Sequence, residues 1–195
     1  MHTNRELPKD SVLQNRKSPN GNMSQNNSKR IKKIALFGIF LAFMLVIGLI
    51  EKMIPLDGIA PGMRLGLANL AVVISLYTFK PRDILMLVAI KCVLASVLSG
   101  SVMTLFYSMS GSLASIAIML VLVRFKAVST VGISVAGAAF HNIAQMMVAR
   151  VIFGTWSILA YLPLLLVVGT VSGTLIGMLA KMLLSHTKPN NFPTC

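Results

Sequence analysis

The amino-acid sequence predicts an all-α integral membrane protein, a bundle of six transmembrane helices. Three observations carry this. The 195 residues are 55% hydrophobic and include only five acidic side chains, with a mean hydropathy of +0.79; a soluble domain needs more charge than that to cover its surface. The apolar residues are bunched, so that Ile34 to Leu184 reads as long apolar runs separated by short polar joints. The runs are also the right length. Hydrocarbon about 30 Å thick is crossed by roughly 17 to 25 helical residues.

Residues 1–30 are rich in Asn, Ser, Lys and Arg. Such a segment buries too little apolar surface to order itself, so a disordered basic tail is expected there. The first span is Ile34–Ile50. It is not expected to be a cleaved signal peptide, because the polar segment ahead is too long and the run ends in Glu51-Lys52-Met53-Ile54-Pro55 with no small-x-small site. The second, Met63–Phe79, follows Pro61-Gly62 and contains Arg64 and Asn69. A tilted or partly re-entrant segment fits it as well as a full crossing does. The third, Ile84–Ser99, and the fourth, Val102–Val123, meet at Ser99-Gly100-Ser101. So short a joint makes them antiparallel neighbours. The fifth is Val128–Phe153 and the sixth Ser157–Leu184. This gives a membrane domain over 31–184 and a short tail over 185–195.

Orientation follows from Lys and Arg near the span ends. With the N-terminus inside, the cytoplasmic joints hold Lys29, Arg30, Lys32, Lys33, Lys80, Arg82, Arg124, Lys126, Lys181 and Lys188. The external side keeps only Lys52, Arg64 and Arg150. Both termini are therefore expected on the cytoplasmic side of a bacterial inner membrane. The same charges account for the formal net charge of +13. No aromatic residues are interleaved with the basic ones of the tail to stack on bases, so the implied partner is membrane lipid and not nucleic acid.

Charged and strongly polar side chains inside spans are expensive and need a reason. Lys91 lies near the middle of the third span, too deep for easy snorkelling. It either pairs within the bundle or meets an anionic group of a ligand. In the fifth span, His141 and Gln145 share a helical face with Asn142 adjoining; such groups bridge helices or hold a ligand. Arg64, near the outer end of the second span, and Asn69, about one and a half turns deeper, can face the same cavity. The candidate substrate-binding set is therefore Arg64, Asn69, Lys91, His141, Asn142 and Gln145, in the outer half of the bundle. For Glu51 and Arg150, both near the outer surface, snorkelling to the head groups is the default explanation.

Gly169, Gly173 and Gly177 recur every fourth residue in the sixth span, a stripe that lets another helix approach closely, within the chain or from a partner. Gly132-x-x-x-Ala136 and Gly111-x-x-x-Ser115 repeat the pattern. No phosphate-binding lysine loop or nucleotide fingerprint is present, which excludes ATP hydrolysis by this chain. Cys92 and Cys195 with three scattered histidines give no metal spacing. No metal, cofactor or catalytic residue is expected.

Pro61-Gly62-Met63-Arg64-Leu65-Gly66-Leu67-Ala68-Asn69 resembles the P-G-x-K/R-L-G-L-A-N signature of the bacterial heptaprenyl diphosphate synthase component I family, also called Gx transporters. Glu51 with Pro55, Ser110-Gly111, and Gly137-Ala138-Ala139-Phe140-His141-Asn142-x-x-Gln145 look like its other recurrent patches. The resemblance covers about residues 32–184. The family is similar in size and span count to the S components of energy-coupling-factor transporters. In those, six helices hold a small molecule in an outward pocket, while a transmembrane coupling subunit with two ATPases drives uptake. The resemblance thus implies an S-component-like, substrate-binding subunit without its own ATPase. The family label implies instead a partner of a soluble prenyl diphosphate synthase. Such synthases bind diphosphate through magnesium held by aspartate clusters. Asp57 and Asp83, far apart in the sequence, do not form one, so the label implies a non-catalytic subunit at most.

Overall fold

The computed structural model describes residues 19–53, 66–125 and 128–186, all helical or in short joints. The helices are α1 (Pro19–Met53), α2 (Asn69–Thr78), α3 (Pro81–Ser99), α4 (Val102–Arg124), α5 (Thr130–Phe153) and α6 (Leu162–His186), with a short 3-10 helix, Trp156–Tyr161, leading into α6. The chain divides into two units, Met1–Leu36 and Phe37–Cys195. The first contributes the opening part of α1.

The helix boundaries have local causes. Lys80, before a proline, is extended, and Pro81 opens α3 where its missing N–H is not needed. Asp83 lies in that first turn, at the positive end of the helix dipole. Gly100 closes α3 in the left-handed region at φ 62° and donates its N–H back to the last turn. Ser129 caps α5 by accepting the Gly132 N–H at 3.2 Å, and Gly154 ends it at φ 66°.

On length and apolarity, four segments among the described residues can cross a membrane: Arg30–Glu51, Val102–Arg124, Thr130–Phe153 and Trp156–His186. The expected six crossings therefore depend on α2 and α3. The helical part of the second stretch is ten residues, about 15 Å and half the hydrocarbon thickness. Met63, Arg64 and Leu65 lie outside the described residues. Helix α3 has the length, at 19 residues, but carries Arg82, Asp83 and Lys91.

Within the second unit α5 is the central helix, packed on α4 and on α6. The contact with α6 is made by the glycine stripe. A Cβ at Gly173 would lie 3.0 Å from Cα of Val135, and one at Gly177 only 2.6 Å from Cα of Val131. At Gly173 and Gly177 the stripe is thus filled from within the chain, by the backbone of α5.

The apolar core is concentrated in one half of the bundle. It joins Met44 of α1, Val73 of α2, Ile84, Leu87 and Val88 of α3, Ile116 and Met119 of α4, Ile133 of α5 and Ile176 and Ala180 of α6. Phe79 adds edge-to-face contacts with Phe37 and Phe40 at 6.1 and 5.4 Å between ring centres. These residues belong to the helix ends that lead to Lys80, Arg82, Arg124 and Lys181. The other half of the bundle holds the larger buried polar side chains, Glu51, Asn142 and Gln145.

Candidate functional site

A cavity opens in that second half. Its walls come from the last turns of α1, the joint entering α2, the last part of α3, the first part of α4 and the middle of α5 and α6. Its volume, as room for water-sized molecules, is about 60 Å³, enough for several waters.

Five of the six candidate residues line it: Asn69, Lys91, His141, Asn142 and Gln145. Arg64 lies outside the described residues. Helix periodicity explains the grouping on α5. Ser134, Ala138, His141 and Gln145 follow one another at steps of three and four, with Asn142 beside His141, and all five line the cavity. Lys91 and Ala95 do the same on α3, one turn apart, with Leu98 beyond them.

Asn142 is buried and has a defined structural partner. Its amide donates to the carbonyl oxygen of Leu165, in the first turn of α6, at 2.8 Å. Gly169 makes this reach possible, since a Cβ there would sit 2.5 Å from the Asn142 amide nitrogen. The first glycine of the stripe therefore accommodates a polar side chain, whereas the next two accommodate backbone.

Glu51 differs from its sequence expectation. It does not snorkel; it is 8% exposed, lines the cavity and accepts the backbone N–H of Leu67 through Oε1. Arg150, in the last turn of α5, stacks its guanidinium on the exposed Trp156 ring at 3.4 Å from its centre, a contact compatible with a place among the head groups. Sequence reasoning missed Glu51 as a wall residue because a carboxylate at a span end normally faces head groups. Its tie is to a backbone group sixteen residues on, which no local pattern displays.

Gly111 is another residue whose place at the site was missed, as were the lining serines Ser108, Ser134 and Ser172. It belongs to the buried face of α4, where sequence reasoning saw only a packing motif. A Cβ added to it would lie 2.8 Å from Cε1 of His141 and 2.8 Å from Cγ of Gln145. The bare backbone at Gly111 is what the His141 ring and the Gln145 stem lie against. Among the described residues, no three His, Cys, Asp or Glu side chains are grouped to hold a metal ion.

The family model described as heptaprenyl diphosphate synthase component I matches residues 40–183, which takes in every described wall of the cavity. The chain belongs to the heptaprenyl diphosphate synthase component I family. This component I protein is also similar to a solved structure titled "Crystal structure of an S-component of ECF transporter". The TM-score is 0.61 at 20% identity, over 84% of this chain and 89% of that one. The likeness shows the fold, a membrane helical bundle of the S-component kind. No curated protein sequence matches the chain.

Because Asn142 both bonds Leu165 and faces the cavity, its replacement separates two roles in this component I protein. Asn142→Ala should lower stability by about 1 kcal/mol, the usual scale of an interhelical hydrogen bond in a membrane, with the fold retained. Thermal unfolding in detergent, followed by tryptophan fluorescence and size-exclusion chromatography, checks this.

Proposed function

We propose that this component I protein is the substrate-binding membrane subunit of a small-molecule importer, energised by a separate transmembrane coupling subunit and its ATPases. One observation carries the reading: Asn69, Lys91, His141, Asn142 and Gln145 line one cavity. Intramembrane polar groups are costly, and a lining of amides, an imidazole and an ammonium is more than packing requires. The likeness in fold to an S component supports the same reading.

In this reading Lys91 and Arg64 meet a negatively charged group of the substrate, while His141 and the amides orient it. Glu51 shares the lining with Lys91 and so tempers the preference for anions. The substrate class in this reading is a small molecule that is anionic or isoprenoid-related. We read α2 and α3 as embedded with the other four, a six-helix bundle with both termini cytoplasmic in a bacterial inner membrane. The cavity then opens on the outer half, away from Lys80, Arg124 and Lys181.

The test uses the full chain and the small molecules that stay bound through purification. Lys91→Met and His141→Ala should each lower the amount retained at least tenfold. Mass spectrometry of the denatured eluate measures it. Unchanged retention in both variants would remove the site assignment.

The family name favours a second reading, a non-catalytic membrane subunit of polyprenyl diphosphate synthesis. Affinity purification separates the two. A coupling subunit with ATPases supports import, whereas a soluble prenyl diphosphate synthase supports the second reading.

A further inference from the structure

Helix α1 supplies a wall of the cavity through Met44, Leu45, Gly48 and Leu49, with Glu51 at its end. This part of α1 is held to the rest of its unit by Met44, buried in the apolar core, and by contacts at its two ends. Phe37 and Phe40 pack on Phe79 at one end, and Glu51 accepts the Leu67 N–H at the other. Between them lies Gly48. A Cβ built on Gly48 meets no atom within 4 Å, in contrast to Gly111, Gly169, Gly173 and Gly177, where it would lie 3.0 Å or less from a neighbour. Those four are glycines because something occupies the space beside them. At Gly48 no protein atom needs the missing side chain, yet the residue lines the cavity.

A glycine inside a helix costs about 1 kcal/mol relative to alanine in intrinsic propensity, and at Gly48 no neighbour occupies the place of the missing side chain to offset it. The wall around it is apolar: Met44, Leu45 and Leu49 on α1, with Leu98 of α3 and Ile176 of α6 also in the lining. The hydrogen-bonding groups come chiefly from α5, with Glu51, Asn69, Lys91, Ser108 and Ser172 adding one each from the other helices. The cavity is therefore amphipathic.

We propose that Gly48 is a specificity-determining residue. The substrate joins a hydrogen-bonding end to a short apolar segment, the segment occupies the space left open at Gly48, and the side chain at position 48 sets how large that segment can be. This rests on the cavity being the substrate site.

The experiment compares Gly48→Ala, Gly48→Val and Gly48→Leu in the full chain. Val46→Leu serves as a control on the exposed side of the same helix, where Val46 is 55% exposed. Two quantities are read on each: the host-derived small molecules retained through purification, by mass spectrometry, and the thermal midpoint in detergent. Retention should fall stepwise with side-chain size, at least tenfold for leucine. The thermal midpoint should stay level or rise, because added atoms enter empty space. Val46→Leu should change neither. A role in helix packing predicts the reverse, a midpoint that falls with size. If Gly48→Leu retains the same molecules in the same amount, the proposal is overturned. The parallel His141→Ala measurement distinguishes the two levels. Loss at His141 with no loss at Gly48 overturns only the role of Gly48, and no loss at either overturns the substrate site as well.

Discussion

Replacing Gly177 with leucine should pull α5 and α6 apart and give the largest loss of stability of any single change considered. Already at the Cβ, the new side chain would meet Cα of Val131 at 2.6 Å, with Cβ of Ser134 at 3.1 Å and Cβ of Val131 at 3.3 Å. Two of these three atoms belong to one residue, and the nearest is backbone, so no rotamer change relieves the contact. The helices must separate instead, and α5 is packed on α4 along its other side. Overpacking of this kind costs about 1–3 kcal/mol, occasionally more, and a backbone contact puts Gly177→Leu at the upper end, about 3 kcal/mol. Gly177→Ala should show the same direction with a smaller loss. Thermal unfolding and monodispersity in detergent check both. A leucine variant as stable as the parent would show that the α5–α6 contact is not as close as described.

Replacing Gly111 with valine should do the opposite: leave the bundle standing and empty the site. The atoms in the way are Cε1 and Nε2 of His141, at 2.8 and 2.9 Å, and Cγ of Gln145 at 2.8 Å. They belong to side chains, which can turn aside without separating α4 from α5. The bonding groups of both residues then move relative to Lys91 and Asn142, and sites of this kind tolerate displacements of only about 0.5 Å. Retention of small molecules through purification should fall at least tenfold, with a loss of stability smaller than that of Gly177→Leu. Equal damage to stability in the two variants would mean that Gly111 is a packing glycine like those of α6. Comparing the two glycines is informative because sequence alone presents them as one motif.

Much of the fold was legible because its boundaries are written in local chemistry. The end of α3 at Ser99, the start of α4 at Val102 and the end of α5 at Phe153 agree with the sequence expectation, and Gly100 and Gly154 close their helices in the left-handed conformation that glycine adopts without strain. The start of α1 was not legible. Pro19 to Lys33 is polar, and hydropathy registers apolar runs and not helices as such. The opening of α6 was read as one continuous helix, but Trp156–Tyr161 is 3-10, a distinction that composition does not carry. At the cavity, His141, Asn142 and Gln145 could be grouped from helical spacing within one element. Asn69 and Lys91 were recognised because polar groups stand out in apolar runs. Glu51 and Gly111 could not be recognised in the same way, because their parts at the site depend on which helices become neighbours.

Cys92 is fully buried between α3 and α4, where its thiol donates to Ser112 Oγ at 3.7 Å and accepts from Ser108 Oγ at 3.4 Å. A thiol held in this way is inert towards water-soluble alkylating reagents. Cysteines introduced at helix ends can thus be labelled in intact cells with Cys92 left in place, once Cys195 is changed to serine. A membrane-impermeant maleimide should then modify Gly154→Cys from outside and leave Ser129→Cys unmodified, so the protein's own silent sulfur provides the background against which its orientation can be measured.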